Sequence, residues 1–212
     1  YRWHYRSQNF LAAIKNGDFK STYQHYQPGV TLMWLNAFVK QISFSWQYRV
    51  LGMNEPKTLE NADYFPTIHG ISKFSILLVL TTVLYFQIKL IGDIFGQKQA
   101  FWFGFLIALE PYLIGIDRWM HLTSFEAYFG FLSLLLLLKW YKTEKDSMLA
   151  LSGAVLILSV LSKITTLLTL PIYVFIIALK KKNIFKNLSI LFGSCLIFTF
   201  LFFPALWTSP IY

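Results

Sequence analysis

Charged residues and cysteine are both scarce in this sequence of 212 residues. Only 14% of the residues are charged, whereas 56% are hydrophobic and 19% are aromatic, which is too apolar for an ordinary soluble domain. The single cysteine, Cys195, excludes a disulfide within the chain. The chain is basic, with 19 lysines and arginines against 10 acidic residues. Nucleic-acid binding is nevertheless not expected, because the lysines form short clusters between apolar stretches, as in cytoplasmic loops of membrane proteins.

Familiar signatures of soluble enzymes are also lacking. The chain has no Gly-rich phosphate loop, no nucleophile elbow and no paired cysteines or histidines at metal-binding spacing. Its histidines are scattered along the chain: His4, His25, His69 and His121. The sequence therefore predicts no metal site and no certain cofactor, and it leaves a need for a divalent cation open.

Apolar blocks separated by short charged loops fill the sequence from Ile71 onward. A membrane-spanning helix needs about 20 mostly apolar residues. Six blocks come near that length: 71–90, 99–116, 123–141, 147–162, 164–180 and 187–207. The fourth and fifth are short and separated by Lys163 alone, so a helical hairpin that does not fully cross is an alternative to two crossings. The pattern predicts an all-α polytopic membrane protein with about six transmembrane helices in residues 71–212.

Residues 1–70 are more polar and contain no run long enough to span a bilayer. Pro28 and Gly29 precede an amphipathic stretch at 30–46. Its expected apolar face consists of Val30, Met33, Trp34, Phe38 and Ile42, whereas Lys40 is expected to lie elsewhere. We interpret this stretch as a helix resting on the membrane surface or as one packed on other protein, so residues 1–70 are predicted to be an outer loop with interfacial helices.

The lysines predict the orientation in the membrane. They cluster near 89–98, 139–145 and 180–186, in alternate loops between the predicted spans, and such loops are usually cytoplasmic. Residues 1–70, the turn at 117–121 and Lys163 then lie outside. This outer side also receives every arginine of the chain: Arg2, Arg6, Arg49 and Arg118. Arginine can hold a phosphate with two parallel hydrogen bonds, so this asymmetry favours a phosphate ligand on the outer side.

Ionisable residues collect at the predicted outer ends of the helices. Asp117, Arg118 and His121 share one turn, and Glu126 follows about one helical turn inside the next helix. Such groups usually face a polar cavity or one another. For Asp117 alone we favour local ion pairing, whereas for Arg118 and Glu126 we favour a pair at the mouth of a site. Lys163, like Lys73, either joins this group or extends to the interface, and the second is favoured.

Four stretches of the chain resemble segments of a known family. They are AAIKNGDFKSTYQHYQPGVTLMWL (12–35), ALEPYLIGIDRWMHLTSFEAYFGFLSLL (108–135), SGAVLILSVLSKITTLLTLP (152–171) and FFPALW (202–207). In their order and spacing they are similar to the dolichyl-phosphate-mannose protein mannosyltransferase-like proteins. These belong to the C-type glycosyltransferase superfamily, which includes the bacterial aminoarabinose transferases.

This resemblance implies a membrane glycosyltransferase that transfers a sugar from a polyprenyl-phosphate donor to a lipid or protein acceptor. The site would face outward from a bacterial or archaeal plasma membrane, in contact with membrane lipids. The family's catalytic base is an acidic residue near the first helix, so the base and that helix are expected upstream of this chain. The implied substrate-binding residues are His25, Gln27, Pro28, Gly29, Trp34, Arg118, His121 and Lys163, and the implied auxiliary acids are Glu126 and Asp117.

The chain departs from the family pattern at three positions. Gln27 stands where the family most often has His before Pro-Gly, although His25 lies two residues earlier. Thr123 stands where many members have an acidic residue, with Glu126 three residues later, and Lys73 replaces an arginine. The sequence therefore leaves the sugar and the acceptor open and permits a divergent or inactive member.

Two other functions remain open from the sequence. A transporter or flippase of a lipid-linked substrate would need polar residues through the bilayer midplane, whereas helix middles such as SILLVLTTVLYF (75–86) contain no ionisable group other than a tyrosine. The other function is that of a noncatalytic membrane subunit.

Overall fold

The computed structural model describes residues 2–54, 63–117 and 120–208, and all regular structure within them is helical. The α-helices are α1 (Arg2–Lys15), α2 (Val30–Arg49), α3 (Phe65–Phe95), α4 (Gln97–Leu109), α5 (Pro111–Asp117), α6 (Leu122–Thr143), α7 (Asp146–Ser162), α8 (Leu170–Leu179) and α9 (Ile184–Phe202). Short 3₁₀ helices cover Phe19–Thr22, Ile164–Thr169 and Pro204–Trp207. The all-α prediction is therefore confirmed.

Three of the described helices are long and apolar enough to cross a membrane, namely α3, α6 and α9. The pair α4 and α5 adds a fourth candidate if its two halves form one broken span. By length and composition alone the structure thus supports three or four spans, and α7 and the segment Ile164–Leu179 are shorter apolar helices. The chain therefore fits an integral membrane protein.

The predicted span at 99–116 is broken rather than continuous. Its halves, α4 and α5, are bent by 63°, because a residue that precedes proline disfavours the α-helical backbone. Glu110 accordingly has an extended conformation before Pro111. The Glu110 carboxylate accepts hydrogen bonds from the backbone N–H groups of Tyr112 (3.0 Å) and Leu113 (3.2 Å), so it caps the new helix α5.

Small polar residues hold the central helices together. Ser133 on α6 and Ser152 on α7 donate to each other's backbone carbonyls at 2.7 and 2.8 Å, and the Tyr173 hydroxyl on α8 donates to Ser133 at 2.8 Å. Gly153 on α7 allows α9 to approach closely, since a Cβ there would lie 2.8 Å from the Leu191 carbonyl oxygen. Such small residues permit tight helix packing where lipid provides little hydrophobic driving force.

The bundle has two chemically different ends. At one end, which we call the lysine end, four lysines contact neighbouring helices and turns through the contacts Lys139–Asp93, Lys142–Ile94 carbonyl, Lys180–Glu144 and Lys186–Asp146. At the opposite end, Lys163 after α7 pairs with Glu126 near the start of α6. The first turns of α3 and α6 lie at this second end, because both border the same cavity there.

The residues that helix α2 buries are only in part the ones predicted from its amphipathic pattern. Val30 and Met33 are buried, but Phe38 and Ile42 of the expected apolar face are 63% and 53% exposed. Lys40, expected on a polar face, is buried and only 1% exposed. The first half of α2 thus packs on protein, whereas its second half leaves an apolar stripe uncovered.

Candidate functional site

A cavity of about 820 Å³ opens at the end of the bundle opposite the lysine end. It lies between α1, the loop at 25–27, the first turns of α3 and the segment before α6. Its lining residues are Arg2, Trp3, Arg6, His25, Tyr26, Gln27, Phe65, His69, Lys73, Met120, His121 and Leu122. None of these described residues is acidic, so we call it the cationic cavity.

The fixed positive charges of the cavity have no carboxylate partner among the described residues. Each ion pair found within 2–54, 63–117 and 120–208 uses a lysine other than Lys73, and none uses Arg2 or Arg6. The Arg6 guanidinium lies over the Trp3 ring, 4.6 Å from its centroid, which orients it without neutralising it. Three cations without a carboxylate partner in the described part of the chain, gathered in one concave site, produce a positive potential that attracts anions.

Two imidazoles of the cavity have defined tautomers. The Nδ1 of His121 lies 3.2 Å from the backbone N–H of Thr123, and the Nδ1 of His25 lies 3.1 Å from that of Gln27. The Gln27 carbonyl oxygen is also 3.3 Å from His25 Nδ1, but the shorter contact is with an N–H that can only donate. A ring that accepts at Nδ1 carries its proton on Nε2, which leaves an N–H donor for a ligand.

A cluster of three basic residues, of which His4 and Lys40 are buried and His69 lines the cavity, connects α1 to α2 and α3. His4 Nε2 lies 2.9 Å from His69 Nδ1, and Lys40 donates to the His4 carbonyl oxygen. Burial, followed by the charge of Lys40, lowers the pKa of His4 to about 3. Burial also lowers the pKa of Lys40 to about 7. These residues hold α1, and with it Arg2 and Arg6, against the rest of the molecule.

Gly29 shapes the cavity from behind. Its φ of +58° is left-handed, and a Cβ at this position would overlap the Trp3 ring and lie 3.2 Å from Leu122. Glycine is therefore needed both for the backbone and for the position of Trp3. Pro28 beside it is buried. Pro28 and Gly29 thus lie behind the cavity wall and do not line the cavity themselves.

Trp34 lies away from the cationic cavity. Its indole N–H donates to the Phe202 carbonyl at 2.8 Å, and its ring packs edge-on against Phe10 at 5.1 Å. These contacts join α2 to α1 and α9. Trp34 is thus placed to stabilise the packing of α2 on α1 and α9.

Glu126 and Lys163 meet outside the cationic cavity. Their ion pair has an N–O distance of 3.4 Å, and the Glu126 carboxylate also accepts hydrogen bonds from Thr165 and Thr166. Glu126 borders a second cavity of about 330 Å³ that shares no described lining residue with the first. The structure therefore places Lys163 with a carboxylate and not with His25, Gln27 or His121.

Asp117 accepts a hydrogen bond from the Tyr128 hydroxyl at 2.9 Å, which ties the end of α5 to α6. Arg118 lies outside the described residues, and so does its predicted pairing with Glu126. Of the predicted binding residues, His25, Gln27 and His121 line the cationic cavity together.

Comparison of the chain with family models, with curated proteins and with solved structures gives no match.

Proposed function

We propose that this chain belongs to a membrane glycosyltransferase that uses a polyprenyl-phosphate sugar as donor and a lipid or protein as acceptor. The carrying observation is the cationic cavity, in which Arg2, Arg6 and Lys73 have no described acidic neighbour. A phosphate is the ligand that best matches such a site. The donor's apolar tail requires that the phosphate be met at a membrane interface, and the uncovered apolar stripe of α2 is suited to that interface.

The proposed setting is an outward-facing site in a bacterial or archaeal plasma membrane, with six crossings and residues 1–70 outside. Separation of the cationic cavity from the lysine end supports this orientation, because lysine-rich loops remain cytoplasmic. The pair Lys163–Glu126 supports a full crossing by α7, since it brings the end of α7 level with the start of the candidate span α6.

In the proposed reaction an acceptor hydroxyl oxygen attacks the anomeric carbon of the sugar. The bond from that carbon to the phosphate oxygen breaks, and the bonding pair leaves with the phosphate. The acceptor's proton passes to a general base, which the family resemblance implies is an acidic residue. The three cations and the Nε2–H donors of His25 and His121 would stabilise the charge that develops on the phosphate. Glu126, held by Lys163, and Asp117 remain proposed auxiliary acids.

The full-length protein tests this proposal. Sugar transfer from a polyprenyl-phosphate donor is measured for the wild type and for Arg2→Ala, Arg6→Ala and Lys73→Ala. Loss of a charge-assisted hydrogen bond to the phosphate should lower kcat/KM by about tenfold or more in each variant. Arg49→Ala is the matched control, because Arg49 is an exposed arginine on α2 outside the cavity. Equal turnover in all four variants would remove the cavity from the reaction.

A transporter or flippase of the same lipid class is the competing proposal, and a noncatalytic subunit is the third. A transit path needs free polar groups at mid-bilayer, whereas the polar groups of Ser133, Ser152 and Tyr173 bond to one another. This arrangement favours the enzyme. Movement of a labelled lipid-linked sugar across vesicles, without sugar transfer, would favour the transporter.

A further inference from the structure

The cationic cavity has an aromatic side formed by Trp3, Phe65 and Tyr26. Within the part of the chain that the structure describes, two of these rings already have an occupied face. Arg6 covers Trp3, and His69 stacks on Phe65 with ring centroids 5.6 Å apart and planes at 13°. Both rings therefore serve as fixed walls.

Tyr26 differs from the other two rings. Its ring lies against His25, with centroids 4.0 Å apart and planes at 35°, and the residue is 72% exposed. His25 is itself held by its hydrogen bond from the Gln27 backbone, so it supports one side of the tyrosine ring firmly. The other face of Tyr26 has no ring or cation partner among the described residues.

Exposure of a tyrosine in a membrane protein often reflects the aromatic belt at the lipid interface. Tyr26, however, lines the same cavity as the three cations. A role in the aromatic belt alone does not explain that position. A cavity of about 820 Å³ falls within the usual size of small-molecule sites, which combine aromatic walls with a few polar groups. A ligand that matches this lining has an anionic part and a flat, weakly polar part.

We propose that Tyr26 is the platform on which the sugar ring of a sugar phosphate stacks, while its phosphate lies among Arg2, Arg6 and Lys73. One face of a pyranose carries C–H groups with partial positive charge, and these are attracted to the negative face of an aromatic ring. Bare phosphate has no such face and gains nothing from Tyr26. This inference rests on the proposed function and assigns the discrimination between sugar phosphate and phosphate to one residue.

The test compares two ligands on the full-length protein in detergent. Dissociation constants for inorganic phosphate and for a hexose 1-phosphate are measured by calorimetry. The wild type should bind the hexose 1-phosphate at least about threefold more tightly, as an aromatic contact of this kind allows. Tyr26→Ala should bring the two constants together while leaving that for inorganic phosphate unchanged, and Tyr26→Phe should keep the preference. Tyr5→Ala is the control, because Tyr5 is an exposed tyrosine of α1 that does not line the cavity.

The outcomes separate this inference from the function on which it rests. A preference for the hexose phosphate that survives Tyr26→Ala, or that the wild type lacks, overturns the role of Tyr26 while phosphate binding stands. Binding of neither ligand by the wild type overturns both the platform and the proposed phosphate site.

Discussion

Two glycines of residues 1–70 provide a matched comparison at the scale of single residues. Gly29 and Gly17 both have left-handed backbones, with φ of +58° and +70°. A Cβ would overlap Trp3 at Gly29, whereas at Gly17 it would meet nothing within 4 Å. Both therefore share the backbone strain of a substituted left-handed residue, and only Gly29 adds a steric effect on the cavity.

We therefore predict that Gly29→Ala weakens phosphate binding more than Gly17→Ala does. Both alanines should lower stability by about 1 kcal/mol through backbone strain. Only the first should displace Trp3 and the Arg6 guanidinium stacked on it. Thermal melts combined with phosphate titration of both variants measure the two effects separately. Equal phosphate affinity in the two variants would show that Trp3 does not position Arg6.

Lys40 and His4 predict a pH-dependent attachment of α1. Both are bases whose pKa is lowered by burial, so as pH falls the detached state takes up the proton first. For Lys40 the attachment weakens as pH falls from 10.5 to about 7, and for His4 from 6.5 to about 3. Each group contributes up to about a tenfold change in the equilibrium per pH unit within its own window.

Hydrogen exchange of the α1 backbone against pH checks this prediction. Protection should rise with pH across both windows. Lys40→Met should flatten the rise between pH 7 and 10, because methionine is about as long and has no charge. It should also narrow the lower window, since the charge of Lys40 contributes to the lowered pKa of His4. A wild-type profile that is flat from pH 7 to 10 would contradict the conclusion that burial lowers the pKa of Lys40.

At this scale the sequence predicted only part of the site. His25, Gln27 and His121 were predicted as binding residues because the family resemblance implies them, and His121 also lies at a predicted helix end. His69 carried no local signal, since its role depends on contact with His4, 65 residues earlier. Arg2 and Arg6 were predicted only as two of the four arginines expected on the outer side.

At the scale of helices, the apolar blocks predicted where the helices lie but not how they end. The block at 99–116 contains Pro111, yet its mean hydropathy hides the break that Glu110 and Pro111 produce. The block at 164–180 likewise begins as the 3₁₀ helix Ile164–Thr169 before α8. The prediction for α2 was wrong at Lys40. Burial of this lysine depends on its contact with the His4 carbonyl oxygen, and periodicity cannot reveal such a partner.

Close packing of α7 on α9 gives a prediction at the same scale. Gly153→Ala should destabilise the bundle by about 1–3 kcal/mol, because its Cβ would lie 2.8 Å from the backbone carbonyl of Leu191 and would overlap Ser194. Gly193→Ala on α9 is the matched control, since a Cβ there meets nothing within 4 Å. Thermal melts of both variants in detergent make the comparison. Equal melting temperatures would mean that α7 and α9 do not pack at this distance.

For the whole molecule, the separation of the cationic cavity from the ion-paired lysine end links the fold to the proposed function. The lysine clusters predicted alternate loops from sequence, and the structure brings the clusters at 139–145 and 180–186 to one end through ion pairs with neighbouring turns. The cationic cavity itself could not be predicted, because it assembles from four segments between residues 2 and 122. The cavity lies at the other end of the bundle because α3 and α6 both begin there and run in the same direction.

This separation makes the membrane orientation testable. With Cys195 replaced by alanine, single cysteines are introduced at Asn16, Lys145 and Lys182, all exposed positions. A membrane-impermeant thiol reagent should label Asn16→Cys in intact cells and the two lysine-end variants only after permeabilisation, because loops rich in lysine are retained inside. Labelling of all three in intact cells would put the cavity and the lysine end in one compartment. An outward site for a lipid-linked sugar phosphate would then lose its physical basis, since the cavity and the lysines form opposite ends of one bundle.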